Sequence, residues 1–206
     1  MFPEALAGPA RELFGALATQ PLIAGYYLAG GSAIALHLGH RVSVDLDFFT
    51  SGECDPDGLL GVLQRLGRVD TVLVNHATLH AVVNGTHVSF FAYPYPLLDE
   101  TESVRGIRVA GLLDLALMKV IAVSQRGKRR DFVDLFCVCR SGYELPLLLR
   151  RLHDKYPGLG DPGHDILPSL TYFEDAEEDP PLQMLEPCDW GEVKAFFVRE
   201  ARRLAG

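Results

Sequence analysis

The sequence predicts an α+β fold, a mixed sheet flanked by helices and followed by a helical C-terminal part. Three observations carry this. Period-two alternation and hairpin signals fall within residues 1–110, whereas apolar residues recur at helical spacing from 111 onward. Strands that precede helices, instead of alternating with them, are the α+β pattern. Finally, 206 residues with 48% hydrophobic and 22% charged side chains suit one packed core with a small attached helical part. The expected organisation is an αβ core over 1–110 with a helical region over 111–206 packed on it.

Each element has a local reason. Residues 4–18 read as an amphipathic helix with Leu6, Leu13, Phe14 and Leu17 on one side. GYYLAG, 25–30, reads as a short buried strand before a Gly-Gly-Ser turn, with Ser32 as N-cap of a helix that stops at Gly39. RVSVDLDFF then alternates: Val42, Val44, Leu46 and Phe48 face one way, and Ser43, Asp45, Asp47 and Phe49 the other. A helix over 57–66 precedes strands at 69–75, 78–83 and 87–93, the last two joined by Asn84-Gly85, a two-residue hairpin signal. Pro94 and Pro96 end that region, and a short strand is expected near 104–109. Helices follow at 111–126 and 130–140 around the basic turn RGKRR, then at 144–155, 164–173 and 189–204. The acidic stretch EDAEEDPP reads as a surface loop.

Composition narrows the function classes. A net charge of −8 argues against a protein that coats nucleic acid by charge alone, but leaves room for a local basic site. Cys137 and Cys139 lie two apart on an expected helix, so they point about 200° apart and make a poor metal clamp. Four reduced thiols in a cytoplasmic protein is the better reading. The acidic N-terminal segment does not resemble a secretion signal. The longest apolar run, 112–123, contains Asp114 and Lys119 and is too short to span a membrane, so no membrane partner is expected.

The chemistry concentrates in one stretch. Asp45 and Asp47, two apart on an extended segment, point the same way at about 6.6 Å between Cα atoms. Carboxylates so placed converge on divalent ions in sites for in-line phosphoryl displacement. Taken alone, the pair fits the polar face of a half-exposed strand better. The preceding segment reverses that preference: a strand, then Gly30-Gly31-Ser32, then a helix start aims free backbone N–H groups and a positive helix end at an anion. Arg41 and Ser43 add donors beside the carboxylates. Further on, Arg126, Lys128, Arg129 and Arg130 concentrate positive charge on an acidic chain; they suit a triphosphate, an RNA backbone or a plain solvated turn. Lys119 sits among apolar neighbours and wants an anionic partner, either a phosphate or a carboxylate such as Asp114. Arg130 and Asp134 also have the spacing of a helical ion pair, and Asp131 and Asp134 share a face that suits orienting basic residues. Among the histidines, His37 reads as a hydrogen-bonded packing residue, and Phe90, Phe91, Tyr93 and Tyr95 as sheet packing.

The run GGSAIALHLGHRVSVDLDFF resembles motif I of the polymerase-β-like nucleotidyltransferases, and most closely that of the AbiEii/AbiGii toxin family of type IV toxin–antitoxin systems. LLDLALMKVIAVSQRGKRRDFVDL is similar to that family's second block, a Lys-bearing helix, a basic turn and an Arg-Asp-Phe-x-Asp-Leu helix. The resemblance covers residues 25–140 and, more loosely, the helical tail. It implies a polymerase-β-like mixed sheet, an NTP substrate and Mg²⁺ or Mn²⁺. By that resemblance Asp45 and Asp47 hold the metal, Gly31, Ser32, Arg41, Lys119 and Arg130 bind the nucleotide, and Lys119 and Asp131 join the two aspartates as catalytic residues. The implied activity moves a nucleoside monophosphate to a hydroxyl of tRNA or of a protein, with an antitoxin as partner.

One departure from the family pattern opens an alternative. Related enzymes carry a third carboxylate on a neighbouring strand, often as general base. Here that strand, THVSFFAYPY, offers His87 and Ser89. Serine is no base at neutral pH and a poorer Mg²⁺ ligand than a carboxylate. A catalytically inactive nucleotide- or partner-binding module of the same fold is therefore the second reading, and a metal-dependent nuclease or phosphohydrolase the third.

Overall fold

The computed structural model describes residues 1–160 and 166–205. Seven strands form one sheet: β1 Tyr27–Ala29, β2 Leu46–Thr50, β3 Val69–Asn75, β4 Thr78–Val83, β5 Thr86–Ala92, β6 Glu102–Val104 and β7 Ile107–Val109. Their spatial order is β3-β4-β5-β2-β1-β7-β6. β2 runs parallel to β5 and β1 parallel to β7, while the remaining pairs are antiparallel, so the sheet is mixed. Helices α1 Gly8–Leu17, α2 Gly30–Leu38 and α3 Pro56–Leu66 are threaded among the strands. After the sheet come α4 Leu112–Arg126, α5 Arg129–Arg140, α6 Leu145–Lys155, α7 Glu174–Glu177 and α8 Trp190–Ala205. This is the expected mixed sheet with flanking helices.

One apolar core runs through sheet and helices. Leu46 and Phe48 on β2 and Phe90 on β5 are fully buried, and the Phe48 and Phe90 rings stack at 5.1 Å. The alternate residues of the same two strands, Asp47 and Phe49, Ser89 and Phe91, stand on the opposite face. Stacking of Phe49 on Phe91 at 4.9 Å and of Phe90 on Phe48 accounts for these aromatics as sheet packing.

Five local expectations are corrected. Residues 4–18 are not one helix: Pro3–Ala5 is a 3₁₀ turn, and Leu6 bridges Ser43 before α1 begins at Gly8-Pro9. Ala7 donates its N–H to the Ser43 carbonyl at 2.9 Å and Ser43 donates to Ala5 at 2.8 Å, so neighbouring chain, not helix, satisfies this backbone. For the same reason the alternation of RVSVDLDFF is strand only from Leu46, and Val44 is 58% exposed instead of joining the apolar row. The single strand expected near 104–109 is a hairpin, β6–β7, turned by Arg105 and Gly106 at φ 51° and 91°. The turn has the same left-handed geometry as Asn84-Gly85 (φ 49° and 82°), whose Asn-Gly pair advertised it where Arg-Gly did not. In the expected 164–173 helix, residues 164 and 165 lie outside the described residues, and the rest forms only a 3₁₀ turn, Ser169–Thr171. The acidic stretch expected as loop contains the one-turn helix α7.

A fully buried ion pair ties the later helices to the segment leaving the sheet. Lys155 on α6 donates to Asp114 on α4 at 2.6 Å and to the Pro96 carbonyl at 2.8 Å. Asp114 also accepts the N–H groups of Leu98 and Asp99. Every charge-bearing atom in this cluster has a partner, which is what permits such a pair in a dry interior. Asp114 is thereby committed to Lys155 and not to Lys119.

Candidate active site

β1 ends where Gly30 takes a left-handed backbone, φ +66°, and the chain turns into α2. Two glycines are needed here for different reasons. A β carbon on Gly30 would lie 2.8 Å from Asp47 Oδ2, and one on Gly31 would collide with the Arg41 guanidinium. Ser32 does not cap the helix, as expected from its position; α2 has no side-chain cap. The Ser32 hydroxyl is buried, sits 2.8 Å from Ser43 Oγ, and donates to the Asp45 carbonyl. It clamps the aspartate-bearing segment to the helix tip. Because no side chain hydrogen-bonds to that tip as a cap, first-turn N–H groups of α2 remain available to an anion.

Asp45 and Asp47 open into the same cavity, of about 600 Å³, as Gly30, Gly31 and Ser32. The two carboxylates therefore share one cavity. Burial raises the Asp47 carboxyl above the ordinary aspartate range, the charge of Asp45 raises it further, and Lys119, Arg130 and Arg126 pull the other way. Arg130 on α5 answers Asp45 directly, Nη1 to Oδ2 at 3.1 Å. It does not form the Arg130–Asp134 helix pair that the spacing allowed.

Asp134 and Asp131 instead form a buried platform behind the cavity wall. Both are fully buried. Asp134 receives Arg41 in a bidentate grip, Nε at 2.6 Å and Nη2 at 2.8 Å, and also contacts Lys119 Nζ at 2.9 Å and His40 Nε2 at 2.8 Å. Asp131 receives Lys119 at 2.7 Å and both Nε and Nη2 of Arg126, at 2.8 and 2.9 Å. Burial opposes ionisation of each, yet the cations prevail. Arg41 and Lys119, with hydrogen bonds from His40 and Arg41, hold Asp134 well below the usual carboxylate range, while Lys119 and Arg126 lower Asp131. These two carboxylates thus fix where Arg41, Lys119 and Arg126 present themselves to the cavity. Asp131, expected at the reacting centre, is walled off from it by the cations it holds.

The arrangement is a glycine-bordered helix tip, two carboxylates in one cavity and a braced basic wall. The sequence model of the nucleotidyl transferase AbiEii toxin family, a type IV toxin–antitoxin system, matches residues 11–77 and 84–202. The chain belongs to this family. An Aquifex aeolicus protein, aq_aa25, is 39% identical over 182 residues that cover 86% of each chain. The fold is that of solved nucleotidyltransferases. A Helicobacter pylori protein assigned to that class superposes with a TM-score of 0.58 at 17% identity, over 95% of this chain and 91% of its own. MenT4, a nucleotidyltransferase toxin from Mycobacterium tuberculosis, superposes at 0.50 with 15% identity, over 94% and 85%.

In this AbiEii-family chain, Ser89 on β5 stands directly opposite Asp47 on β2, the position where a third carboxylate was sought. Among the described residues no group of three or more His, Cys, Asp and Glu side chains could hold a metal. Asp45 and Asp47 are the carboxylates that line the cavity, and a pair would suit Mg²⁺, which takes one or two carboxylates and completes its shell with water and substrate phosphate oxygens. Sequence reasoning missed three contributions. Arg126 reads in the sequence as one of a basic cluster that suits a triphosphate, and its bidentate grip on Asp131 is not foreseen there. Pro181 to Gln183 also line the cavity, because Val42 donates to the Gln183 carbonyl at 2.8 Å and Arg41 bridges Met184. No local signal marks that pairing. His80, on β4, is the third.

The Gly30 geometry gives a direct test. Gly30→Ala is expected to displace the Asp47 carboxylate and to strain the left-handed turn. Nucleotidyl transfer should fall about 10²-fold, as a small misplacement of a reacting group does, with a stability loss of only about 1–2 kcal/mol. Turnover and urea unfolding of the same preparation separate the two effects.

Proposed function

We propose that this chain transfers a nucleoside monophosphate from an NTP, with Mg²⁺ or Mn²⁺, to a hydroxyl of tRNA or of a protein, as the toxin of a two-gene pair restrained by an antitoxin. The observation that carries this is that Asp45 and Asp47 line one cavity with the Gly30-Gly31-Ser32 helix tip and a cationic wall. In this reading Asp45 and Asp47 hold the ion, which when bound supplies Lewis-acid polarisation and charge neutralisation at the phosphates. The N–H groups of Gly31 and Ser32 hold the triphosphate, and Lys119, Arg126 and Arg130 stabilise charge on the departing pyrophosphate. Arg41 braces the Gly31 turn, and Asp131 is a positioning residue for Lys119 and Arg126. The αβ part over 1–110 supplies the metal and phosphate elements, and the helical part over 111–206 supplies the cations.

Family membership supports the toxin reading, and the fold shared with MenT4 agrees with it. A cytoplasmic setting suits four unpaired cysteines and an NTP substrate. No helix among the described residues is long and apolar enough to cross a membrane.

The test is Mg²⁺-dependent transfer of label from each α-³²P-NTP into total cellular RNA and protein, against the Asp45→Ala/Asp47→Ala double variant. Label from one or more NTPs should enter one acceptor class, and the variant should leave background only. Equal labelling by the variant removes the proposed role of the aspartates. Ser89 at the third-carboxylate position favours the second reading, an inert nucleotide-binding module; it predicts NTP- and Mg²⁺-dependent thermal stabilisation with no labelled product.

A further inference from the structure

The row of side chains crossing the sheet beside Asp47 continues past Ser89. β4 pairs antiparallel with β5, and the residue opposite Ser89 is His80. Asp47, Ser89 and His80 therefore occupy one rung on three adjacent strands, all facing the cavity. With about 4.8 Å between strands, His80 starts two strands away from the aspartate. Its side chain leans back across the gap: Nδ1 lies 3.0 Å from Ser89 Oγ, and the ring meets Phe91 edge-to-face, centroids 5.2 Å apart at 78°. The serine thus leaves room that a carboxylate side chain would fill, and the imidazole leans into it.

The Nδ1 contact admits either tautomer; in the one where Nδ1–H donates to Ser89 Oγ, the lone pair sits on Nε2, which has no hydrogen bond to any described residue. Phe91 fixes the plane of the ring. In that tautomer the half-buried imidazole, which lines the cavity that contains the aspartates, carries its proton-accepting atom on the side of the ring away from Nδ1.

We propose that His80 is the general base of the transfer reaction, replacing the absent third carboxylate, with Ser89 as the residue that positions it. This rests on the nucleotidyltransferase reading above. In the step, the acceptor hydroxyl oxygen forms a bond to the α-phosphorus and its proton passes to His80 Nε2. The bond from the α-phosphorus to the bridging oxygen breaks, and pyrophosphate leaves with that electron pair. The serine on β5 then holds the base in place and is not a sign of a dead site.

Single-turnover transfer from α-³²P-NTP to total cellular tRNA and protein, with Mg²⁺, tests this on the whole chain. His80→Gly and His80→Gln should each cut the transfer rate by about 10²–10⁴-fold, the usual contribution of a positioned base. Stabilisation of either variant by NTP and Mg²⁺ in a thermal melt should match that of the unaltered chain. Free imidazole should restore part of the rate to His80→Gly, which leaves a hole, but not to His80→Gln, which fills it. Adding Ser89→Asp to His80→Gln should also restore transfer by returning a carboxylate to the rung beside Asp47. A rate within twofold of the unaltered chain in either His80 variant overturns the proposal while leaving the nucleotidyltransferase reading intact. So does a rate loss that neither imidazole nor Ser89→Asp relieves. Absence of transfer by the unaltered chain with every NTP overturns both.

Discussion

Asp47→Asn is expected to abolish nucleotidyl transfer and, in metal-free buffer, to raise the melting temperature. The two effects have one origin. Asp47 stands on β2 beside the Gly30 turn, and its neighbour in the cavity is the like charge of Asp45. Burial and that repulsion disfavour its ionised form. A neutral amide of the same shape relieves the cost in the absence of a cation. It also removes half of the carboxylate charge that would bind one. Metal-ion stabilisation of a transferring phosphoryl group contributes several kcal/mol, so the rate should fall by roughly 10³-fold or more. Asp45 differs: half-exposed and already answered by Arg130, its substitution should cost activity without the gain in stability. Melting with and without EDTA, beside α-³²P-NTP transfer, reads both. A lower melting temperature for metal-free Asp47→Asn would contradict the electrostatic account.

Asp134→Ala should have the largest effect on stability. This fully buried carboxylate faces Arg41, Lys119 and His40, and its loss strands at least one buried guanidinium. Breaking a buried pair from one side costs about 3–5 kcal/mol, which for a chain of this size lowers the melting temperature on the order of 10 °C. Adding Arg41→Met should recover part of the loss, because the stranded charge is then gone, and a double-mutant cycle measures the coupling. The pH dependence has a definite sign. Asp134 and Asp131 titrate lower in the folded chain than in the unfolded one. Their contribution is therefore fully present above the unfolded aspartate value of about 3.9 and is lost as pH falls through the folded values. Urea unfolding at a series of pH values should show unaltered stability eroding below about pH 4, with a shallower decline in Asp134→Ala.

Much of this was legible because it depends on neighbours along the chain. The Asn84-Gly85 turn, the α3 and α4 boundaries and the helical tail follow from periodicity, glycine and proline. So does the juxtaposition of a Gly-Gly-Ser turn with paired aspartates, since only the rest of the short helix α2 and the segment after it separate them. Ser32 shows the limit. Its place before an apolar helix marked it as a cap, yet its hydroxyl serves Ser43 and the Asp45 carbonyl across that helix, a contact no local rule encodes.

The sequence by itself determined that a mixed sheet precedes helices and that two aspartates and a glycine-bordered turn lie within reach of one another. Spacing along a strand or helix is set by backbone geometry, which the order of residues reveals. The tertiary structure alone decided who pairs with whom. Lys119 took Asp131 and Asp134 instead of Asp114, Arg130 crossed to Asp45 instead of Asp134, and His80 leaned over Ser89. Each choice falls between elements distant in the chain. There a charge or ring settles wherever packing leaves it a partner and little water, and the sequence carries no record of that distance.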